Sequence, residues 1–320
     1  MNNSLISQFK GRKSLVTGGA GFIGSNLSRF LKKIGSEVTI IDNFSTGNKD
    51  NISDFKHLGI DVLNLDITDL NSTKDCYNGI DFVFHHAAIA SVPYSLKHPN
   101  LSRHHNVGGT RAVLHNSSNS NVTKVVFASS SAVYGDTDIL PTDESIIPDP
   151  QSPYASQKLD SELYCQDFSE SNKIDTTSLR YFNVFGPYQD PKSEYSAVIP
   201  KFIDLAIKDK DLIIFGDGSS TRDFVFVEDV IQANLLSAVS DNSDGKVINI
   251  ANGQTISIDK LAKSIIKMTG SQSKIVYEKP REGDIVHSAA DITRAKEIFG
   301  YHPQITLEEG LERTVEFYRT

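Results

Sequence analysis

The sequence predicts an α/β protein built on a doubly wound parallel sheet, with a smaller α/β domain towards the C-terminus. Three observations carry this. Short apolar, β-branched runs recur through the first half, segments of helix length separate them, and prolines break the rhythm beyond about residue 183. Parallel strands need long crossover connections, and strands covered on both faces read as continuous apolar runs.

Taken in order, Lys13–Thr17 reads as the first strand and Ile23–Ile34 as the first helix. Further strands follow at Glu37–Ile41, Gly59–Leu65, Ile80–His86, Lys124–Ala128 and Thr176–Arg180. This series defines an expected first domain over residues 1–182. Pro187, Pro191 and Pro200 then open a less regular stretch, read as a second domain over residues 183–320, with segments near 225–250 returning to the first. No internal repeat or long linker interrupts the chain.

Composition narrows the function classes. The 320 residues carry 32 Lys+Arg against 40 Asp+Glu, a net charge of −8, with no basic run to follow a phosphate backbone. Nucleic-acid binding is therefore not expected. No apolar run reaches the roughly 18 residues of a membrane helix. The start of the chain lacks a basic flank and an apolar signal-peptide core. Cys76 and Cys165 stand far apart, as suits a reducing compartment and no zinc staple. The expectation is a cytoplasmic protein that works without a membrane.

The first strand runs directly into Thr17-Gly18-Gly19-Ala20-Gly21-Phe22-Ile23-Gly24, which opens the first helix. Gly18 permits a tight turn, Gly21 lets backbone approach a pyrophosphate, and Gly24 lets helix pack on strand. The amides of Phe22 and Ile23 then face the negative charge at the helix N-terminus. Asp42 follows 18 residues after Gly24, at the end of the second strand, with Asn43 next to it. A carboxylate there accepts hydrogen bonds from ribose hydroxyls and repels a 2′-phosphate. The pattern is Rossmann-like, and the cofactor it predicts is NAD rather than NADP. Asp66 and Ile67 are expected to close the third strand, with Asp66 in reach of an adenine amino group. His86-Ala87-Ala88 is expected to end the fourth strand, with Ala87 and Ala88 beside the cofactor path. The pairs His85-His86 and His104-His105 do not predict a metal, because adjacent strand residues face opposite sides and no third ligand has suitable spacing.

Tyr154 and Lys158 lie four apart and so share one helix face. Ser129-Ser130-Ser131 ends the strand through Phe127, 24 residues before that tyrosine when counted from Ser130. A phenol, with a reference pKa near 10, is a poor base at neutral pH. The positive charges of Lys158 and a nicotinamide would favour phenolate; a fall of ~3 in pKa, about 4 kcal/mol, would poise it for proton abstraction.

At these residues the chain resembles the extended short-chain dehydrogenase/reductase family, specifically its UDP-hexose 4-epimerases. The resemblance covers about Lys13 to Tyr318. It rests on Thr17–Gly24, Asp42-Asn43, Asn106, Ser129–Gly135, Tyr154 with Lys158, Arg180-Tyr181-Phe182-Asn183, Gly216 with Thr221-Arg222-Asp223, and Arg281-Glu282-Gly283-Asp284. It implies that Tyr154 is the acid/base, that Lys158 lowers its pKa and holds the nicotinamide ribose, and that Asn106 supports the active-site helix and cofactor. Ser130 is implied as the third catalytic hydroxyl, with Ser131 a close competitor. Ser91, Ser130, Tyr154, Asn183, Ala197, Val198, Phe215, Arg222, Arg281, Asp284 and Ser288 are the implied substrate contacts. A UDP-sugar substrate and a homodimer built through a four-helix interface are implied with them.

Close relatives diverge after the same oxidation. Nucleotide-sugar 4,6-dehydratases carry an Asp-Glu pair where this chain has Ser131 and Ala132, and UDP-glucuronate decarboxylases carry Glu in place of Ala132. Epimerisation at C4 is therefore the favoured reaction. UDP-glucuronate 4-epimerisation stays open, and so does a non-catalytic NAD-binding regulator, which intact Ser130, Tyr154 and Lys158 speak against. Ser288 stands where glucose-restricted members resemble a bulky Tyr, and Ala197-Val198 where they carry Asn-Leu. Both departures, with Tyr181–Val184 and Gln189-Asp190-Pro191, resemble the UDP-N-acetylglucosamine 4-epimerase subgroup.

Overall fold

The computed structural model describes residues 3–191, 197–280 and 286–319. Six strands come from the first 181 residues: β1 (Lys13–Thr17), β2 (Glu37–Ile41), β3 (Asp61–Leu63), β4 (Phe82–His85), β5 (Lys124–Ser130) and β6 (Asp175–Tyr181). A late strand, Lys246–Ile250, completes a seven-stranded sheet in the order Lys246–Ile250, β6, β5, β4, β1, β2, β3. Every pairing in it is parallel. The strand order reverses between β1 and β4, so a crevice opens at their carboxyl ends. Open α/β sheets bind ligands at such a switch point.

The continuous apolar runs are explained by burial on both faces. Val16, Ile40, Phe84 and Val126 belong to one core layer. Their neighbours Leu15, Ile41, Val83, Val125 and Phe127 belong to the other. Alternate strand residues point to opposite faces, so each run feeds two layers.

Several element ends differ from the expected ones. The third strand shrinks from Gly59–Leu65 to Asp61–Leu63, because an edge strand with β2 as its one neighbour has little to pair with. Asp66 and Ile67 therefore lie in the loop after β3 rather than closing it. The fourth strand ends at His85, one residue early. β5 runs two residues beyond Ala128, because pairing with β6 continues to Ser130 opposite Tyr181.

Beyond β6, Val184–Phe185 pairs with Val225–Phe226, Leu212–Phe215 with Ile275–Glu278, and Thr221–Asp223 with Thr255–Ser257. Helices Val198–Ile207, Ile258–Thr269 and Leu307–Arg319 bury Phe202, Leu261 and Leu311 in a core continuous with one face of the main sheet. The 225–250 stretch is divided between the two regions. Its helix Val227–Ala238 packs on β5, β6 and the Phe22–Lys33 helix, and Lys246–Ile250 joins the sheet.

Candidate active site

The glycine turn is shaped by backbone crowding. Gly18 has φ +71°, and a Cβ there would lie 2.6 Å from the backbone nitrogen of Ala87. A Cβ at Gly24 would meet the Gly18 carbonyl oxygen at 2.3 Å, so helix and turn touch directly. At Gly21 the nearest atom would be 3.2 Å away, and this glycine lines an open groove. Gly19, which the motif reading passed over, is pressed against Ile40, where a Cβ would come within 2.4 Å. Gly21 caps the Phe22–Lys33 helix without a side-chain bond, and the first amides of a helix, here from Phe22 and Ile23, have no intrahelical acceptor.

The groove continues past Asp42, Asn43, Asp66, Ile67, Ala87 and Ala88. Asp42 Oδ2 accepts from the Ala20 amide at 2.9 Å and Oδ1 from the Phe44 amide at 2.8 Å. Burial raises its pKa, and those two amides oppose the rise. Each oxygen retains a lone pair for another donor. A Cβ at Gly47 would sit 2.7 Å from Asp42 Oδ1, so the loop closes tightly over the carboxylate. Asp66 is more fully occupied: Oδ1 accepts from the amide and hydroxyl of Thr68, and Oδ2 from Asn43 Nδ2. Asn43 is thereby pinned at the groove wall. These residues fit a dinucleotide: a cradle where side chains would clash, open helix amides, and a carboxylate with spare acceptors.

The adjacent histidines face apart. His85 lies between Thr17 and Thr110, whereas His86 approaches the Tyr181 hydroxyl through Nε2 at 3.2 Å. Burial pushes His85 well below its ordinary pKa and His86 down to about 4, so both are neutral at neutral pH.

Tyr154 opens the helix Pro153–Glu170, which Ser152 caps through the Ala155 amide. The Ser130 hydroxyl donates towards the Tyr154 phenol oxygen, which favours phenolate. Of the neighbouring serines, Ser130 is the one beside the phenol, and Ser131 begins the next turn. Burial outweighs that bond and pushes the phenol above its ordinary value. The lowering expected from Lys158 does not prevail over burial in the chain alone. The Lys158 ammonium lies over the Tyr154 ring, 5.9 Å from its centroid, and donates to the Ala128 carbonyl at 2.6 Å. Burial brings Lys158 itself down to about 8. Asn106 joins this helix to the β4 exit. Its Oδ1 accepts from the Ile89 amide, and its Nδ2 donates to the Ile89 carbonyl and to Gln157 Oε1.

Opposite the groove, Asn183, Ala197, Val198, Phe215 and Arg222 line a cavity of about 790 Å³, within the size range of small-molecule sites. Asn183 and Arg222 also line a neighbouring cleft of about 310 Å³ with Ser130, Ser131, Ala132, His287 and Ser288. Asn183 is oriented by a bond from Nδ2 to the Asp223 carbonyl, and Ser288 by backbone bonds to Thr221 and Asp223. Lys201 and Phe202 join the cavity wall unannounced by any motif, although helical spacing from Val198 places them on its face.

Ser91 is not among the residues lining these clefts; its hydroxyl caps the Val92–Lys97 helix through the Tyr94 amide. Arg281 and Asp284 lie outside the described residues. Among the described residues, no three His, Cys, Asp or Glu side chains converge as metal ligands would.

The model of the NAD dependent epimerase/dehydratase family matches residues 14–251. The chain is 36% identical to the UDP-glucose 4-epimerase of Mycolicibacterium smegmatis, covering 96% of this chain and 98% of that one. It is 35% identical to the UDP-N-acetyl-alpha-D-glucosaminuronate decarboxylase of Bacillus cytotoxicus, over 96% and 98%. Among solved structures, the UDP-N-acetylglucosamine 4-epimerase of Methanobrevibacter ruminantium, in complex with UDP-N-acetylmuramic acid, superimposes with a TM-score of 0.91 at 40% identity. That match covers 97% of this chain and 99% of the other.

Proposed function

The chain belongs to the NAD dependent epimerase/dehydratase family, and from that premise we propose that it inverts C4 of a UDP-hexose, with UDP-N-acetylglucosamine and UDP-N-acetylgalactosamine as its preferred pair. The observation that carries this reading lies after Ser130. Ser131 and Ala132 line the reaction cleft, and neither offers a carboxyl group. Elimination across C5–C6 needs an acid and a base there. Without them, oxidation at C4 is followed by its reversal. UDP-glucose and UDP-galactose, which lack the acetamido group, would fill the same cleft less fully.

Gly18, Gly21, Asp42, Asn43, Ala87 and Ala88 line the groove that would hold NAD, which when bound would supply a reversible hydride acceptor for C4. Tyr154 removes the proton of the C4 hydroxyl and later restores it. Ser130 holds that oxygen in line with the phenol. Lys158, 5.9 Å from the centroid of the Tyr154 ring, would hold the nicotinamide ribose and adds positive charge near the phenol. Both expected charges are needed, because burial alone favours the neutral phenol. Arg222 and Asn183 anchor the diphosphate end, helped by the uncapped start of the Val198–Ile207 helix at Ala197. The 4-keto sugar stays loose between that anchor and Tyr154, so either face can be turned to the reducing side.

We take the working form to be a homodimer. Leu96, Leu101 and Leu163 are exposed on three helices that pack on one another, Val92–Lys97, Pro99–Arg103 and Pro153–Glu170. A grouped apolar face of this kind suits a second copy of the chain.

Incubation of the purified protein with UDP-N-acetylglucosamine, read by NMR for the C4 configuration, tests the function. Appearance of the galacto epimer without net consumption of NAD is expected. A 4-keto-6-deoxy product, or no turnover of any UDP-hexose, would overturn it.

A further inference from the structure

Three consecutive residues at the end of β5 each engage a different turn of the Pro153–Glu170 helix. The Ala128 carbonyl takes Lys158, the Ser129 hydroxyl takes Glu162, and the Ser130 hydroxyl takes Tyr154. Tyr154, Lys158 and Glu162 are spaced by four, so they form one stripe along the helix. Two members of that stripe belong to the reaction proposed above. The third has no part in it.

Glu162 is 1% exposed. Its Oε1 accepts from Ser129 Oγ at 2.5 Å and from Arg180 Nε at 2.9 Å, and its Oε2 from Arg180 Nη2 at 2.7 Å. Arg180, on β6 and 4% exposed, lies over the Tyr134 ring at 4.6 Å, and the Tyr134 hydroxyl donates to Asn249 Oδ1. Every acceptor and donor of the clamp is thus held by a different strand or turn. A buried ion pair of this kind stabilises a fold no better than apolar residues of the same volume. Stability alone does not account for it here.

The surroundings of Lys158 do. Near it stand His85, at the end of β4, and His86, just past it, both held neutral. On β5 it faces the Phe127 ring at 4.8 Å. On its own helix it faces Tyr154, Cys165 and Glu162, and on β6 Arg180 stands behind Glu162. Among these groups Glu162 alone carries a carboxyl group, and it is paired with Arg180. We propose that Glu162 is a positioning residue for Lys158: clamped by Ser129 and Arg180, it seats the helix on β5 and keeps the buried ammonium charged. This deepens the functional reading and rests on Lys158 acting as a cation beside the cofactor. The opposing influences agree with it, since burial lowers Lys158 to about 8 while Glu162 raises it.

The test is the pH dependence of NADH binding, followed by fluorescence, alongside the pH profile of kcat. In the wild type both should fall on the alkaline side as Lys158 loses its proton. Glu162→Gln keeps the shape and removes the charge, and should move that alkaline limb down by ~1 pH unit. Glu162→Asp keeps the charge and should leave the limb near its wild-type position, even as Tm falls. Should the Gln variant fail to fold, Ser129→Ala gives the same sign with a smaller shift, because the carboxylate can then turn towards Arg180. An alkaline limb unmoved in the folded Gln variant, or in Ser129→Ala where Gln does not fold, would overturn the proposal. Absence of epimerase turnover in the wild type would instead overturn the functional reading, and the NADH profile would still decide the role of Glu162.

Discussion

The Asn106 side chain and the Gln157 side chain are joined by a 2.7 Å hydrogen bond, with Asn106 Nδ2 donating to Gln157 Oε1. Gln157 in turn donates to Ser102 Oγ and the Pro99 carbonyl. One amide therefore couples the Ile89 backbone, at the edge of the dinucleotide groove, to the helix that carries Tyr154. Asn106→Ala leaves the Ile89 amide and the Gln157 carbonyl without partners in a buried site. Such loss costs about 1–3 kcal/mol per group. A clear drop in Tm is expected, with weaker NAD retention than in the wild type; an unchanged Tm would mean that water replaces the amide.

Tyr154→Phe keeps the ring and removes the proton acceptor. Turnover should fall by at least ~10²-fold. The glycine turn and Asp42 are untouched, so NAD should still be bound. Assay by NMR and cofactor content by absorbance separate the two effects, and near-normal turnover would remove Tyr154 from the acid/base role.

Asp42 predicts selectivity between cofactors. Its oxygens already hold two amides, and a 2′-phosphate beside them would be repelled by the carboxylate's charge. NAD should bind at least ~10-fold more tightly than NADP, an energy gap of about 1.4 kcal/mol or more. Asp42→Ala should weaken NAD retention, and equal binding of the two cofactors by the wild type would contradict the role given to this carboxylate.

The backbone of Ser288 is tied to Thr221 and Asp223, so its side chain cannot easily leave the cleft. Ser288→Tyr should crowd the space for a 2-acetamido group at a cost of about 1–3 kcal/mol. The ratio of kcat/KM for UDP-N-acetylglucosamine over that for UDP-glucose should fall by ~5- to 150-fold. A ratio that does not change would place the acetamido group elsewhere.

Leu163 is 56% exposed on the helix that carries Tyr154. If it lies in a two-fold interface, Leu163→Lys should halve the mass measured by light scattering. A wild type that is monomeric at micromolar concentration would set the dimer aside.

The glycine turn, Asp42 and the Tyr154–Lys158 pair were legible in the sequence because each depends on local geometry. A helix places residues four apart on one face whatever surrounds it, and a strand-to-helix turn needs glycine where a Cβ would strike backbone. The edge strand was less legible. Gly59–Leu65 has the apolar alternation of a longer strand, and having one neighbour shortens it to Asp61–Leu63. Ser91, expected among the substrate contacts, has its hydroxyl at the cap of the Val92–Lys97 helix, which no residue spacing announced.

What the sequence by itself determined, then, was the alternation that builds a parallel sheet, the phosphate turn, and the spacing of phenol and ammonium. The tertiary structure alone decided that Lys158 spends a donor on Ala128, and that Ser129, Glu162 and Arg180 close into one buried clamp. Ser129, Glu162 and Arg180 lie on a strand, a helix and another strand, and no periodicity links them. Their association follows from desolvation: a buried carboxylate and a buried guanidinium must find each other, and only the packing of β5, β6 and the helix brings them within reach.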